Sequence, residues 1–462
     1  MVAACNFGQL SDLLRKTIHR PVSQPYLHIT IPGYFDREVA YVMHVLLKQN
    51  LGISNYIIER KPVTNYIFAG PNGSLEINNS FFTGEKANLY VASNLPQKRV
   101  DFSWPGLQER FTSLFGNDEI KLEGHKYYCG PDLIASTFFL LTQWESHTKE
   151  NDALGRYSYG SSIIQRWELY HRPVINEYVF LLENVFRSIG ISANRGPYEA
   201  TFSCDIDSVQ KFKSVRNLGG ALYHSGLNFS KWKKEILAYK NSKSNAIQDP
   251  YFSFDYMLGA LQQHNLRSVF YFMTGKTNTR YDHADYWMEE PGMQTLVKEL
   301  KQRTINIGLH PSFETAYTPG TMASEKSVLE KAIGEEVTIV RQHYLRYKAD
   351  DTWKMYDDLG FKIDSSVQFT EGLGFASGCC TPYSLFSISE RRMTEVVEWP
   401  LILMKKKDYV KDVEKTFSAY TDIIDIAKKH QGRFQVLFHN SDVETESERA
   451  LFEATLNYLT KP

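Results

Sequence analysis

The chain has 462 residues, 42 % of them hydrophobic and 23 % charged, with a formal net charge of −1. That length exceeds one ordinary domain, and the balance suits a globular protein with a sizeable core. A near-zero charge without blocks of like charge gives no electrostatic case for nucleic acid or an anionic membrane, and no apolar run approaches the roughly 20 residues that cross a bilayer.

The five cysteines (Cys5, Cys129, Cys204, Cys379 and Cys380) are scattered, with no zinc-knuckle or redox spacing, which favours a reducing compartment. The opening "MVAACNFGQLSDLLRK" has no basic leader followed by a long apolar stretch, so a cytoplasmic protein without a transmembrane segment is expected. The 28 Tyr, 28 Phe and 7 Trp read first as core packing and second as ring faces suited to stacking on sugars. Oligomeric state is left open.

Residues 1–195 read as an N-terminal α+β accessory domain. An amphipathic helix is expected at "REVAYVMHVLLKQNLG", then strands at "SNYIIER" and "TNYIFAG", punctuated by the turn signals "GPNG" and "EINNS". Apolar residues recur at helical spacing in "PDLIASTFFLLTQWES" and "PVINEYVFLLENVFRSIG", separated by the breaker "NDALGRYSYGSS". "ISANRGP" reads as a linker.

From 196 to 462 the pattern changes to alternation. Strands are expected at "YEATFSC", "RSVFYFM", "INIGL", "VTIVRQH", "FKIDSSV", "TEVVEWP" and "RFQVLF", separated mainly by helices. This predicts a parallel α/β sheet or an incomplete (β/α) barrel of about seven strands.

In such folds chemistry collects where the carboxyl ends of the strands meet the following loops. The first strand delivers Asp205 and Asp207 there, and later ones His310, Arg341 with His343, Asp364, Glu398 and His439. Asp205 and Asp207 stand two apart, so an extended chain points both to one side. Two carboxylates that close stay ionised only beside a cation. A metal next to Asp207 and a guanidinium near Asp205 would meet that need, and two Asp capping a turn is the plainer account.

His310 and His343 taken singly read as structural histidines. With an Asp they make the three-ligand composition of catalytic zinc sites, which leaves a position for water. Glu314, four residues after His310, is open as a further ligand, an outer partner of a ligating histidine or an exposed side chain. Asp205 could then take the water's proton, and His439 could give one to the leaving group.

The segments "TFSCDIDS", "GLHPSFET", "RQHYLRY", "GFKIDSSV" and "VLFHN", in that order over residues 199–440, resemble the motifs of the polysaccharide deacetylases, the NodB-homology carbohydrate esterases. The resemblance implies a distorted seven-stranded (β/α) barrel that removes acetyl groups from sugars with one divalent metal, usually zinc. By motif, it implies Asp205 as general base, Asp207 and His310 as metal ligands, Arg341 as the residue orienting the base, and His439 as general acid. Asp364 or Glu398 would be the carboxylate tuning that acid. The family's paired aspartates are adjacent, whereas Ile206 separates them here. Its second metal histidine follows the first by four positions, where this chain has Glu314, so His343 is favoured as third ligand and Glu314 kept as the alternative.

In the N-terminal half, "PDLIASTFFLLTQWES", "NDALGRYS" and "RPVINEY" resemble an uncharacterised region that precedes deacetylase domains in certain bacterial proteins, often associated with surface-polysaccharide synthesis. Trp144, Glu145, Asp152 and Arg156 are expected either to line a contact with the barrel mouth or to hold the halves together. Two functions follow: a metal-dependent deacetylase acting on an acetylated sugar or glycan precursor, or a catalytically inactive barrel that binds glycans or serves assembly. An amidase acting on a non-sugar carbon–nitrogen bond is a third.

Overall fold

The computed structural model describes residues 26–84, 89–275, 279–405 and 412–461, so Cys5 and the opening segment lie outside it. The N-terminal part is built on a six-stranded mixed sheet with strand order β2-β1-β3-β4-β8-β7. Its members are β1 (Leu27–Ile31), β2 (Tyr56–Arg60), β3 (Tyr66–Gly70), β4 (Gly73–Ile77), β7 (Gly116–Glu123) and β8 (Lys126–Pro131); β5 (Val100–Ser103) and β6 (Arg110–Ser113) pair separately. In β1 the side chains of Leu27, Ile29 and Ile31 go inward in strict alternation. The edge strand β7, "GNDEIKLE", is largely exposed and charged, a composition that discourages pairing with another chain.

Three helices cover this sheet: α1 (Asp36–Met43, continued by a π-helical stretch to Asn50), α2 (Leu133–Thr142) and α3 (Val174–Ser188). All ten residues of α2 are buried, so it is a core helix with no solvent stripe. Its N-cap is Asp132, whose carboxylate accepts from the Ala135 amide (3.0 Å) and from Ser80. Residues 191–198 then carry no regular secondary structure.

The C-terminal part is a mixed α/β unit with a curled, mostly parallel sheet. Its strands are β9 (Glu199–Ile206), β10 (Arg267–Phe272), β11 (Asn306–Leu309), β12 (Ile339–Val340), β13 (Ile363–Asp364), β14 (Tyr383–Ser387), β15 (Arg392–Glu398), β16 (Leu401–Met404) and β17 (Arg433–Leu437). They lie in the order β14-β15-β13-β12-β11-β10-β9-β17-β16. Seven coincide with the strands expected from sequence. The structure adds β16, parallel to β17, and β14, which pairs antiparallel with β15.

The connection from β15 to β16 shows why the sheet must curl. Laid flat, seven strand spacings of ~4.8 Å would separate these two strands by ~34 Å. They are joined only by Trp399 and Pro400, and three Cα–Cα steps reach ~11 Å. The sheet therefore bends round until its ends nearly meet, a half-barrel with its strand carboxyl ends gathered at one mouth. Helices fill the connections from β9 to β13 and from β16 to β17: α4 (Val215–His224), α5 (Phe229–Ser244), α6 (Phe254–His264), α7 (Pro291–Gln302), α8 (Pro319–Ile333), α9 (Asp351–Asp358) and α10 (Val413–Lys429); α11 (Glu446–Thr460) follows β17.

Both parts share one apolar core, with Phe138 of α2 edge-on to Phe386 of β14 at 5.4 Å. The segment between β13 and β15 is the seam. Tyr41 donates to Ser384 O (2.8 Å), Asn176 spans the Cys380 amide and Thr381, and Arg391 pairs with the fully buried Glu38.

Candidate metal centre

Along β9 the pleat sends Phe202, Cys204 and Ile206 into the main apolar core, and Ser203 and Asp205 into the curl. Asp205 is 3 % exposed, and its Oδ1 accepts from Arg341 Nη1 at 2.9 Å. Arg341 comes from just beyond β12 and is wholly buried. Its other bonds reach Ser203 Oγ (2.9 Å), Ser365 O (3.1 Å), Ser365 Oγ (3.0 Å) and Gln435 Oε1 (2.6 Å). Its guanidinium also lies 4.3 Å over the Tyr271 ring. Every face of this buried cation is thus met by an acceptor or a π-face, the condition under which burying a charge is tolerable.

His310 directly follows β11. Leu309 pairs with Val340, so His310 and Arg341 stand side by side, and His310 Nδ1 lies 2.7 Å from Arg341 O. His343 lies beyond the end of β12, in a turn where Tyr344 (φ 60°) and Leu345 (φ 52°) adopt the left-handed conformation uncommon for such residues. Its Nδ1 lies 2.7 Å from Asp282 Oδ1. A carbonyl and a carboxylate can only accept, so each neutral imidazole carries its proton on Nδ1 and leaves a lone pair on Nε2.

Those Nε2 atoms face the carboxylate of Asp207. His310 Nε2 is 3.2 Å from Asp207 Oδ1, and His343 Nε2 is 3.8 Å from Oδ2. One ligand atom from each of the three residues fits within 4.8 Å of the others. Asp207 Oδ1 is buried and, among the described residues, without a hydrogen bond of acceptable geometry. Three acceptors converging on one point repel unless a cation lies between them, so two imidazoles and a carboxylate fit a divalent metal with room for a further ligand. Without a metal, protons take that part. Burial alone would lower His343, but Asp207 and Asp282 hold it up at about 9. Burial would raise Asp207, but His343, His310 and His439 pull it well below the usual carboxylate range.

His439 stands on the opposite flank, its Nε2 3.7 Å from Asp207 Oδ2. Its Nδ1 is 3.1 Å from Asp442 Oδ2, which also accepts from the His439 amide at 2.8 Å. Asp442 is held in turn by the buried Lys405 at 2.9 Å. Against the lowering effect of burial, Asp442 with Asp207 and Asp205 lifts His439 to about 9.

Three expectations need correction. Glu314 is not among the converging ligand atoms: it sits in the 3-10 turn Phe313–Tyr317 with its side chain 69 % exposed, 4.0 Å from Arg346. Asp364 and Glu398 do not tune His439, whose carboxylate partner is Asp442. They are opposite one another on β13 and β15, fully buried, and burial holds both pKa values high.

Sequence reasoning missed Asp282 and Asp442. Asp442 was findable, because it lies three residues after His439 and closes a capping turn on it. Asp282 gave no signal: it sits in an irregular loop, where "TRYDHADYW" offers no spacing to read. In the same loop Asp285 receives Ser208 and the Val209 and Gln210 amides, bracing the loop behind Asp207, while His283 and Trp287 are exposed.

The N-terminal candidates divide. Trp144 is buried among Phe81, Tyr90 and Phe139, and Glu145 holds Tyr157, Arg166 and the Ile163 amide, so both serve packing. Asp152 and Arg156 form an ion pair, and Arg156 Nη1 reaches Tyr344 O at 3.0 Å, one residue from His343. They border a cavity of about 140 Å³ between the two parts, lined also by Tyr157, Tyr159, Phe369 and Glu371.

Residues 27–190 match DUF7033, a family of unknown function. No curated protein matches. Among solved structures, a Mycobacterium smegmatis protein assigned as a polysaccharide deacetylase is similar over 57 % of this chain and 85 % of its own, at 11 % identity and TM-score 0.36. A Pseudomonas aeruginosa PAO1 protein with the same assignment matches over 57 % and 88 %, at 11 % identity and TM-score 0.35. A mutant CE4-family pseudoenzyme with restored enzymatic activity matches over 57 % and 63 %, at 10 % identity and TM-score 0.28. At such identities and TM-scores the likeness extends no residue role to this chain.

Proposed function

We propose that this protein is a metal-dependent hydrolase that removes acetyl groups from an acetylated sugar, acting in the cytoplasm on a glycan precursor. The observation that carries this reading is the convergence of Asp207, His310 and His343 on one point, with Asp205 and His439 beside it. The order of the five motifs supports the acetyl-sugar substrate, as does the aromatic and acidic cavity beside the mouth, whose ring faces and polar groups suit a sugar.

Asp207, His310 and His343 would hold a divalent cation of the zinc type, which would supply Lewis acidity for a carbonyl and lower the pKa of water. Asp205 has one oxygen committed to Arg341 and the other turned toward His310 at 3.8 Å, so Oδ2 is the atom placed to take a proton from water. Arg341 holds that carboxylate fixed through the bond to its Oδ1. His439, kept protonated by Asp442, gives a proton to the departing nitrogen or oxygen of the sugar. Asp282 and the Arg341 carbonyl hold the two ligand imidazoles in the tautomer a metal needs.

Against an inactive barrel stands His343, in ligating reach although no histidine follows His310 by four positions. The test is metal analysis combined with acetate release from N- and O-acetylated sugars, with zinc or cobalt restored after chelation. Metal-dependent release that Asp207→Ala and His310→Ala abolish is expected. A metal-loaded protein that binds oligosaccharide and releases no acetate would overturn the proposal.

A further inference from the structure

The loop that carries Asp207 does not return directly to the sheet. It passes through the buried Phe212 into a helical hairpin, α4 and α5, and comes back at Asp249. The base of this hairpin is firmly fixed. Asp249 accepts from the Lys211 and Phe212 amides and from Ser242 Oγ, and Lys211 is paired with Glu235 and Glu444. Beyond that base the body scarcely touches it: α4 has no buried residue and α5 has only Ser242.

The hairpin nevertheless carries large apolar side chains, and they face solvent. At its tip Tyr223 is 83 % exposed, Leu227 90 % and Phe229 78 %, with Val215 and Leu237 exposed along its sides. Lys231, Lys233 and Lys234 stand beside this tip in the first turns of α5, with Arg216, Lys240 and Lys243 nearer the base, against the single acid Glu235, which Lys211 already occupies. Among the described residues none of those six cations makes an ion pair. A chain of net charge −1 thus concentrates strong positive charge on one projection.

An apolar tip with lysines beside it has a specific complement: a surface with negative charge outside and hydrocarbon beneath it. A second copy docking through the same face would set the two sets of lysines against each other. No helix among the described residues is long and apolar enough to cross a membrane, so the hairpin's reach is to the surface. We propose that this hairpin docks the protein on an anionic phospholipid bilayer, with Leu227 and Phe229 entering the interface and the lysines on the headgroups. The docking stands independently of the hydrolase reading. If both hold, the mouth lies beside the surface, because the segment bearing Asp207 leads directly into the anchor.

The experiment is co-sedimentation of the full-length protein with phosphatidylcholine vesicles, with and without phosphatidylglycerol. The expected result is at least about tenfold tighter binding to the anionic vesicles, lost in high salt. Leu227→Glu with Phe229→Glu, and separately Lys231→Gln with Lys233→Gln and Lys234→Gln, should each weaken it by about tenfold or more. These positions are solvent-facing, so thermal melting should be unchanged, and either variant set alone can carry the test. Equal binding to both vesicle types, or anionic binding untouched by both sets, overturns the proposal. So does self-association in sedimentation velocity that Leu227→Glu abolishes, which would assign the tip to a second copy.

Discussion

Replacing Arg341 probes the strut on which the whole centre stands. Arg341→Met keeps much of the side-chain length over Tyr271 but removes every bond to Ser203, Asp205, Ser365 and Gln435. The gravest consequence falls on Asp205, a 3 %-exposed carboxylate that would lose the guanidinium paired with it at 2.9 Å. Breaking a buried ion pair from one side costs about 3–5 kcal/mol, most of it the penalty of the abandoned partner. Asp205→Asn in the Arg341→Met background removes that abandoned charge, so the double variant should lie above the additive expectation by about 2 kcal/mol. Urea denaturation of the four proteins of the cycle measures this, provided the m-values agree. Additivity within about 0.5 kcal/mol would show that Asp205 does not depend on Arg341, and would refute the account of the base given above.

Three other outcomes follow from particular contacts. Asp282→Asn can keep its acceptor oxygen toward His343 and Phe313 but loses the charge, so metal affinity in a chelator competition should fall by about tenfold; an unchanged affinity would remove Asp282 from the centre. His430 is 6 % exposed, and burial, with Lys429 and Arg195 nearby, lowers it to about 4. The unfolded chain therefore takes up this proton first as pH falls below ~6.5. At pH ~4.5 the native state should have lost about 2.5 kcal/mol through this residue, a loss that His430→Gln should largely abolish in urea titrations at two pH values. Glu314→Ala should leave metal affinity and stability within experimental error, because its side chain is 69 % exposed and joins no buried network; a tenfold loss of metal would reverse the correction made above.

What was legible in the sequence was whatever a strand delivers at its end. Asp205, His310 and Arg341 were readable because a short apolar run stops at each of them, and parallel register then brings His310 and Arg341 side by side. Much of the N-terminal sheet was not, because β4 and β7 are short or largely polar and take their order from pairing across the sheet. Glu398 was read correctly as a strand end but not in its role, since spacing says nothing about which buried carboxyl will face which partner. The hairpin was hidden differently. A whole-chain charge of −1 averages over a strongly basic projection and a compensating body, so the total excluded a surface that the local arrangement supplies.

The origin of the second histidine supports a last prediction. The resemblance implies a second ligand four residues after the first, on the same loop; here the loop after β11 turns into a short 3-10 segment that sends residue 314 outward. In the proposed centre the second histidine comes instead from the neighbouring strand, where the left-handed backbone at Tyr344 and Leu345 reverses the chain so that His343 faces Asp207. Two adjacent non-glycine residues in that region are costly, of order 1–3 kcal/mol each, and such strain persists only where surrounding contacts enforce it. The enforcing contacts here are Arg156 on the Tyr344 carbonyl and Asp282 on the His343 ring. Position 314 therefore cannot take over the ligand by identity alone. In a His343→Ala background, Glu314→His should leave zinc affinity at the level of the single variant, measured by chelator competition. Recovery to within about tenfold of the parent would mean that the turn after β11 can refold to present its own ligand, and that the strained turn after β12 is not what completes the centre.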